Sequence, residues 1–192
     1  VTAPAVAAIL AVVSLASCGF VLITPASARA AVSGISTAAV SIVAIWLGAT
    51  TLASGFRPVR LGWLLPLSGA VFGGDATSAL FTVVTGAVGL AAGWFSIGYS
   101  RSAHLPASAL AALPLFVASM ALVPFAASVS TFLLLWESMA LASLVLVLTE
   151  HHERPTREAG VIYAVMTELG FAAILLGLAI FAASAHSETF AQ

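Results

Sequence analysis

Two carboxylates stand apart from the other charges of this chain, and they are the residues with chemistry to offer. Glu137 sits in the run Thr131-Phe-Leu-Leu-Leu-Trp136-Glu137-Ser-Met139-Ala-Leu141 and is the only charged or titratable side chain between His104 and Glu150. Glu168 sits in Tyr163-Ala-Val-Met166-Thr-Glu168-Leu-Gly170. A carboxylate near the centre of a membrane helix costs roughly 2.5–3.5 kcal/mol on insertion scales, so a chain that carries one generally uses it to move ions or protons or to meet a partner charge. Burial disfavours the ionised form of a carboxyl group, and a group poised in this way can take up and release protons. Two readings of Glu137 stay open: a proton relay, or a lock that ties two helices together through an ion pair. No arginine of this chain lies at membrane depth, so a lock would need a partner on another chain or beyond Gln192. Glu168 is the second relay candidate. Two carboxylates on neighbouring helices at slightly different depths suit proton hopping, whereas the blander alternative has Glu168 reaching polar groups near the preceding loop.

The elements that must position these groups are membrane helices. The 192 residues are 61% hydrophobic and 7% charged, with a mean hydropathy of +1.16, which places the chain among polytopic membrane proteins. A hydrocarbon core about 30 Å thick needs about 20 apolar helical residues to cross it. Segments near Ala5–Ile23, Ala31–Ala53, Thr77–Ile97, Ser108–Val123, Val129–Leu148 and Ala159–Ala183 qualify, the fourth being the shortest. The expected fold is therefore an all-α membrane protein of about six transmembrane helices, with residues 1–192 forming one polytopic membrane domain. The stretch Gly55–Gly74 carries Pro58, Pro66 and the alternation Val59-Arg60-Leu61-Gly62-Trp63, and reads as a short extramembrane hairpin or re-entrant segment between the second and third helices. Asp75 follows two glycines and precedes Ala-Thr-Ser, the chemistry of a helix N-cap. Ala26-Ser27-Ala28 resembles a signal-peptidase site, but no positive charge precedes the apolar run, which is longer than a signal core. A retained first helix is the expectation.

Other candidate chemistries fit less well. The loop Glu150-His151-His152-Glu153-Arg154-Pro155-Thr156-Arg157-Glu158 gathers much of the charge, yet adjacent histidines do not match the i, i+4 spacing of a zinc helix; a solvated cytoplasmic turn is expected. His104 and His186 lie near helix ends and read as interfacial. The single Cys18 cannot form a disulfide within the chain. Gly86-Ala-Val-Gly89-Leu-Ala-Ala-Gly93 lies inside an apolar span, where small residues mean close helix packing rather than phosphate binding. A net charge of −1 with no lysine and six arginines gives no basic stripe for nucleic acid. The lipid bilayer is the expected surrounding, and no cofactor is expected in this chain.

Cytoplasmic loops retain positive charge. With six spans, Arg29, Arg101, Arg154 and Arg157 fall on one side and Arg57 and Arg60 on the other. The bias predicts a multi-pass protein of the cell membrane with both termini outside the cytoplasm.

Three patches resemble the antiporter-like membrane subunits of respiratory complex I, of energy-converting and formate-hydrogenlyase-type hydrogenases, and of multisubunit sodium/proton antiporters. Asp75-Ala-Thr-Ser78-Ala-Leu-Phe81 resembles the family's Asp-x-x-Ser-x-x-Phe start of its third helix, and Trp94-Phe-Ser96-Ile-Gly98-Tyr99 resembles the end of that helix. Leu135-Trp136-Glu137-Ser-Met139-Ala-Leu141-Ala-Ser143 resembles its fifth-helix Trp-Glu signature, the most specific of the three. The resemblance covers nearly the whole chain, whereas members of the family are much longer and carry two inverted repeats that put the coupling site at the midplane. It implies that Glu137 matches a glutamate that pairs with a seventh-helix lysine in proton translocation. That lysine and the second repeat would lie after Gln192, so this chain would be the N-terminal part of such a subunit. Glu168 matches no family position.

Together these readings predict a proton-translocating membrane subunit of a redox-driven complex, of hydrogenase or NADH:quinone oxidoreductase type. The redox chemistry would belong to other membrane and peripheral subunits, and this chain would be a non-catalytic part of an oxidoreductase or translocase complex. A truncated structural or anchor subunit that conducts no ions is the alternative. A small solute carrier is a third, and it would need more polar groups per span than the sequence offers.

Overall fold

The computed structural model describes residues 2–62, 69–103, 105–150 and 152–190. Six helices are long and apolar enough to cross a membrane. They are α1 (Ala3–Ile23), α2 (Ala26–Ser54), α3 (Ala76–Ala103), α4 (Ala107–Leu122), α5 (Val129–Val147) and α6 (Arg154–Ala185). Short 3-10 turns extend α4 over Val123–Phe125 and α5 over Leu148–Glu150. Helices α2, α3 and α6 run past the ends that apolar content alone marks. Their backbones continue through Arg29, Arg101, Arg154, Arg157 and Glu158, because helical hydrogen bonds do not stop where the apolar stretch stops.

Local chemistry fixes the turns. Thr24 and Pro25 are extended and separate α1 from α2. Nε and Nη2 of Arg29 donate to the Thr24 carbonyl at 3.2 and 2.9 Å, placing a cation beside the C-terminus of α1. Asp75 caps α3: its Oδ1 accepts from the Ser78 amide at 2.8 Å and from the Ser78 hydroxyl at 3.1 Å. Pro155 sits in the first turn of α6, where its missing N–H costs nothing.

Helices α2 and α3 approach most closely, through small residues. A Cβ added to Gly86 would lie 2.8 Å from the Ser41 carbonyl, and one on Gly93 would lie 3.0 Å from the Gly34 carbonyl. Gly86, Gly89 and Gly93 of α3 are packing residues, as the sequence implies.

The central helix is α4. Within its spanning window 61% of residues are buried, against none in the window of α6. Its interior Pro114 is accommodated by a neighbour. Proline has no N–H for the carbonyl four residues back, which is that of Leu110, and the Ser33 hydroxyl of α2 donates to this carbonyl at 2.6 Å. Near the other end of α4 the Thr82 hydroxyl of α3 donates to the Ala121 carbonyl at 2.9 Å. The apolar core gathers Leu10 of α1, Leu47 of α2 and Leu122 of α4 with Phe56 and Phe125, whose rings lie 5.0 Å apart.

Between α2 and α3, strands β1 (Phe56–Leu61) and β2 (Ala70–Gly74) pair antiparallel, with Val59 opposite Phe72 and Leu61 opposite Ala70. Trp63 and Pro66 of the expected segment lie outside the described residues. Two isolated bridges, Phe72 with Ala126 and Ser128 with Thr189, continue the pattern toward the start of α5 and the segment after α6. The strands, the α4–α5 connection and the end of α6 therefore share one end of the helix bundle. The α1–α2 and α5–α6 turns share the other.

Candidate functional site

Helix α5 is held at its start by polar contacts. Ser128, fully buried, is its N-cap and accepts from the Thr131 amide at 3.3 Å. The Val71 amide of β2 donates to the Thr131 hydroxyl at 2.8 Å. The Ser130 hydroxyl donates to Oε2 of Glu188, beyond α6, at 2.9 Å. These bonds fix the register of α5 against the sheet and against the end of α6.

Glu137 lies next to the midpoint of α5. Its Oε2 is buried and has no hydrogen-bond partner among the described residues, a costly state for a polar atom. The rings of Phe132 and Trp136 pack at a tilt along the preceding turn, centroids 5.6 Å apart. Glu168 is on α6, the helix that follows. The two sequence-predicted carboxylates are thus brought to one helix pair. They differ in surroundings, however. The Glu168 side chain is exposed on α6, which covers only one flank of the bundle.

Between α5 and α6 runs a contact that the sequence reading did not single out. The hydroxyls of Ser143 and Tyr163 are 2.7 Å apart and join α5 to α6. Ser143 also donates to the Ala140 carbonyl at 2.7 Å. With the one serine proton used there, the tyrosine hydroxyl is the donor between the helices. A tyrosine one turn inside a span, facing a serine on the preceding helix, is the signal that could have found it.

The remaining candidates behave as surface groups where they are described. At the start of α6, Arg154 Nε donates to Glu158 Oε1 at 2.7 Å, and both side chains are mostly exposed. His104 and His151 lie outside the described residues. Among the described residues no three His, Cys, Asp or Glu side chains converge as metal ligands would. His186 ends α6 in a left-handed conformation with φ 51°. Asp75, outside the spans, has its carboxyl held below the usual carboxylate range, first by the Ser78 amide and then by the Ser78 hydroxyl. Ser78 also donates to the Pro124 carbonyl at 2.7 Å, so the Asp75–Ser78 pair both caps α3 and ties it to the end of α4.

No family model matches the chain. It is similar to two Mycobacterium tuberculosis proteins, Uncharacterized protein Rv0083 of strain ATCC 25618 / H37Rv and Uncharacterized protein MT0090 of strain CDC 1551 / Oshkosh. Each is 49% identical over 158 residues, which cover 82% of this chain and 25% of the relative. The chain spans about a quarter of the length of the curated relatives it matches.

Proposed function

We propose that this chain is part of a proton-translocating membrane subunit of a redox-driven complex, of hydrogenase or NADH:quinone oxidoreductase type, with Glu137 as the proton relay. The observation that carries the reading is the buried, unpartnered Oε2 of Glu137 at the middle of an apolar helix. Intramembrane ionisable groups are functional by default. A structural lock would require a cation against this oxygen from outside the described residues. The resemblance of Trp136-Glu137 and of Asp75-x-x-Ser78-x-x-Phe81 to antiporter-like subunits supports the same assignment. Glu168, exposed on α6, is the second relay group, facing whatever packs on α6. The electron carriers belong to partner subunits.

In this reading the six helices cross the cell membrane. The β1–β2 pair is an extramembrane cover on the non-cytoplasmic side, and the Arg154–Glu158 turn is cytoplasmic, as the arginine distribution favours.

The test is Glu137→Gln in the protein at its natural length, in inverted membrane vesicles energised by the electron donor of the complex. Acidification of the lumen, followed with a pH-sensitive dye, is expected to disappear while the complex still assembles on a native gel. Normal acidification in the variant overturns the relay. Loss of the assembled complex instead supports the anchor reading.

A further inference from the structure

A cavity of about 460 Å³ opens where the end of α3, the start of α4, the end of α5 and the start of α6 meet. Its volume is that of a small-molecule site, and its lining changes character along its length. Phe95, Leu110, Leu113 and Leu146 form an apolar part, while Ser100 and Glu150 bring polar groups. Ser100 is 4% exposed, and its hydroxyl has no hydrogen-bond partner among the described residues. A buried hydroxyl without a partner is uncommon in a finished interior and fits a site that a ligand completes. Glu150 is the only carboxylate in the lining, and it makes no ion pair among the described residues.

We propose that this cavity binds a membrane lipid with a primary-amine headgroup, the ammonium meeting Glu150 and an acyl chain lying along the leucines. The position and the chemistry both favour it. Glu150 stands just past the end of α5, at the level of a membrane interface, whereas Leu113 lies two helical turns into α4. A ligand spanning both needs a polar head and an apolar tail. A lone carboxylate at the mouth selects a cationic head over an anionic one, since like charges brought together are unfavourable. The inference rests on the six helices crossing a bilayer, and not on proton movement.

The protein at its natural length, recovered from the membrane fraction and extracted in mild detergent, is stripped of lipid and titrated by native mass spectrometry. The probes are dioleoyl phosphatidylethanolamine, dioleoyl phosphatidylglycerol and free ethanolamine. One phosphatidylethanolamine is expected to bind about tenfold more tightly than phosphatidylglycerol, the scale of one charge-assisted hydrogen bond. Glu150→Gln is expected to erase that preference, and Ala92→Trp, which fills the cavity from the exposed side of α3, to abolish the bound lipid. Equal affinity for the two lipids, or a preference unchanged in Glu150→Gln, overturns the proposal. Saturation by free ethanolamine overturns the lipid in favour of a soluble amine. Absence of the protein from the membrane fraction overturns the spanning reading itself, and loss of acidification with lipid binding intact touches only the proton relay.

Discussion

The hydroxyl of Tyr163 on α6 sits 2.7 Å from that of Ser143 on α5, within two helical turns of both Glu137 and Glu168. Helix α6 is otherwise little covered, and this bond holds its angle to α5 on the side of the α5–α6 turn. Removing the hydroxyl in Tyr163→Phe is expected to cost about 1 kcal/mol, the usual net value of a partly buried hydrogen bond. Ser143→Ala should cost a similar amount, and the double variant no more than either alone. Thermal unfolding of the four proteins in detergent measures the coupling; additive losses would mean that the two hydroxyls act separately.

Helix α4 can be central and still contain a proline because Ser33 takes over the hydrogen bond that Pro114 cannot give. Its hydroxyl reaches the Leu110 carbonyl at 2.6 Å, and Ser33 is fully buried. Ser33→Ala leaves a buried carbonyl without a donor and is expected to destabilise by about 1–3 kcal/mol. In a Pro114→Ala background the residue at position 114 has its own N–H for that carbonyl, so the same serine change should cost about half as much or less. Melting temperatures across this cycle decide the matter: an equal loss in both backgrounds separates Ser33 from the proline.

Much of the helical framework was legible in the sequence because length and apolar content alone define a span, and the six helices lie where those criteria put them. Which helix is central was not legible. Helices in hydrocarbon are apolar all round, lipid being as apolar as leucine, so Leu122 in the core and the exposed Leu176 look alike in sequence. The ends of α2, α3 and α6 were missed for a related reason: Arg29, Arg101 and Arg154 mark where the apolar stretch stops, not where the helix does. At the candidate site Glu137 stood out by residue type. The exposure of Glu168 and the Tyr163–Ser143 contact depend on how α6 is set against α5, which no spacing within either helix encodes. Pro114 was a local sign of a tertiary partner, since a proline inside a span implies a carbonyl in need of a donor.

Asp75 gives the N-terminal end of α3 a pH dependence whose sign can be worked out. The Ser78 amide and hydroxyl bind the ionised carboxylate and hold its pKa below the ordinary value. A group depressed in the folded state stabilises fully above its unfolded value, about 3.9 for aspartate, and the contribution is lost as the pH falls through the lower folded value. Asp75→Asn keeps an oxygen that can accept from Ser78 but carries no charge. The native protein is therefore expected to melt at a higher temperature than the variant at pH 7. The gap should begin to close below about pH 4 and vanish only at more acid pH. A gap that stays constant across this range would show that the charge of Asp75 contributes nothing.

Glycine in α3 and glycine in α6 should respond in opposite ways to the same change. At Gly86 an added Cβ would meet Ile45 Cγ1 at 2.7 Å and the Ser41 carbonyl at 2.8 Å, so one helix must move away from the other. Overpacking of this kind costs about 1–3 kcal/mol, and Gly86→Ala is expected to lower the melting temperature accordingly. At Gly177 nothing lies within 4 Å of the added carbon. There alanine only narrows the freedom of the unfolded chain and favours the helix, by about 0.5–1 kcal/mol. Gly177→Ala should therefore raise the melting temperature slightly. The pair separates contact from propensity, because both sites are interior helical glycines and only one faces a neighbour within reach. If Gly86→Ala were as well tolerated as Gly177→Ala, α2 and α3 would not be in the close contact described. If Gly177→Ala were the damaging change, the face of α6 around Gly177 would be covered in the assembled protein.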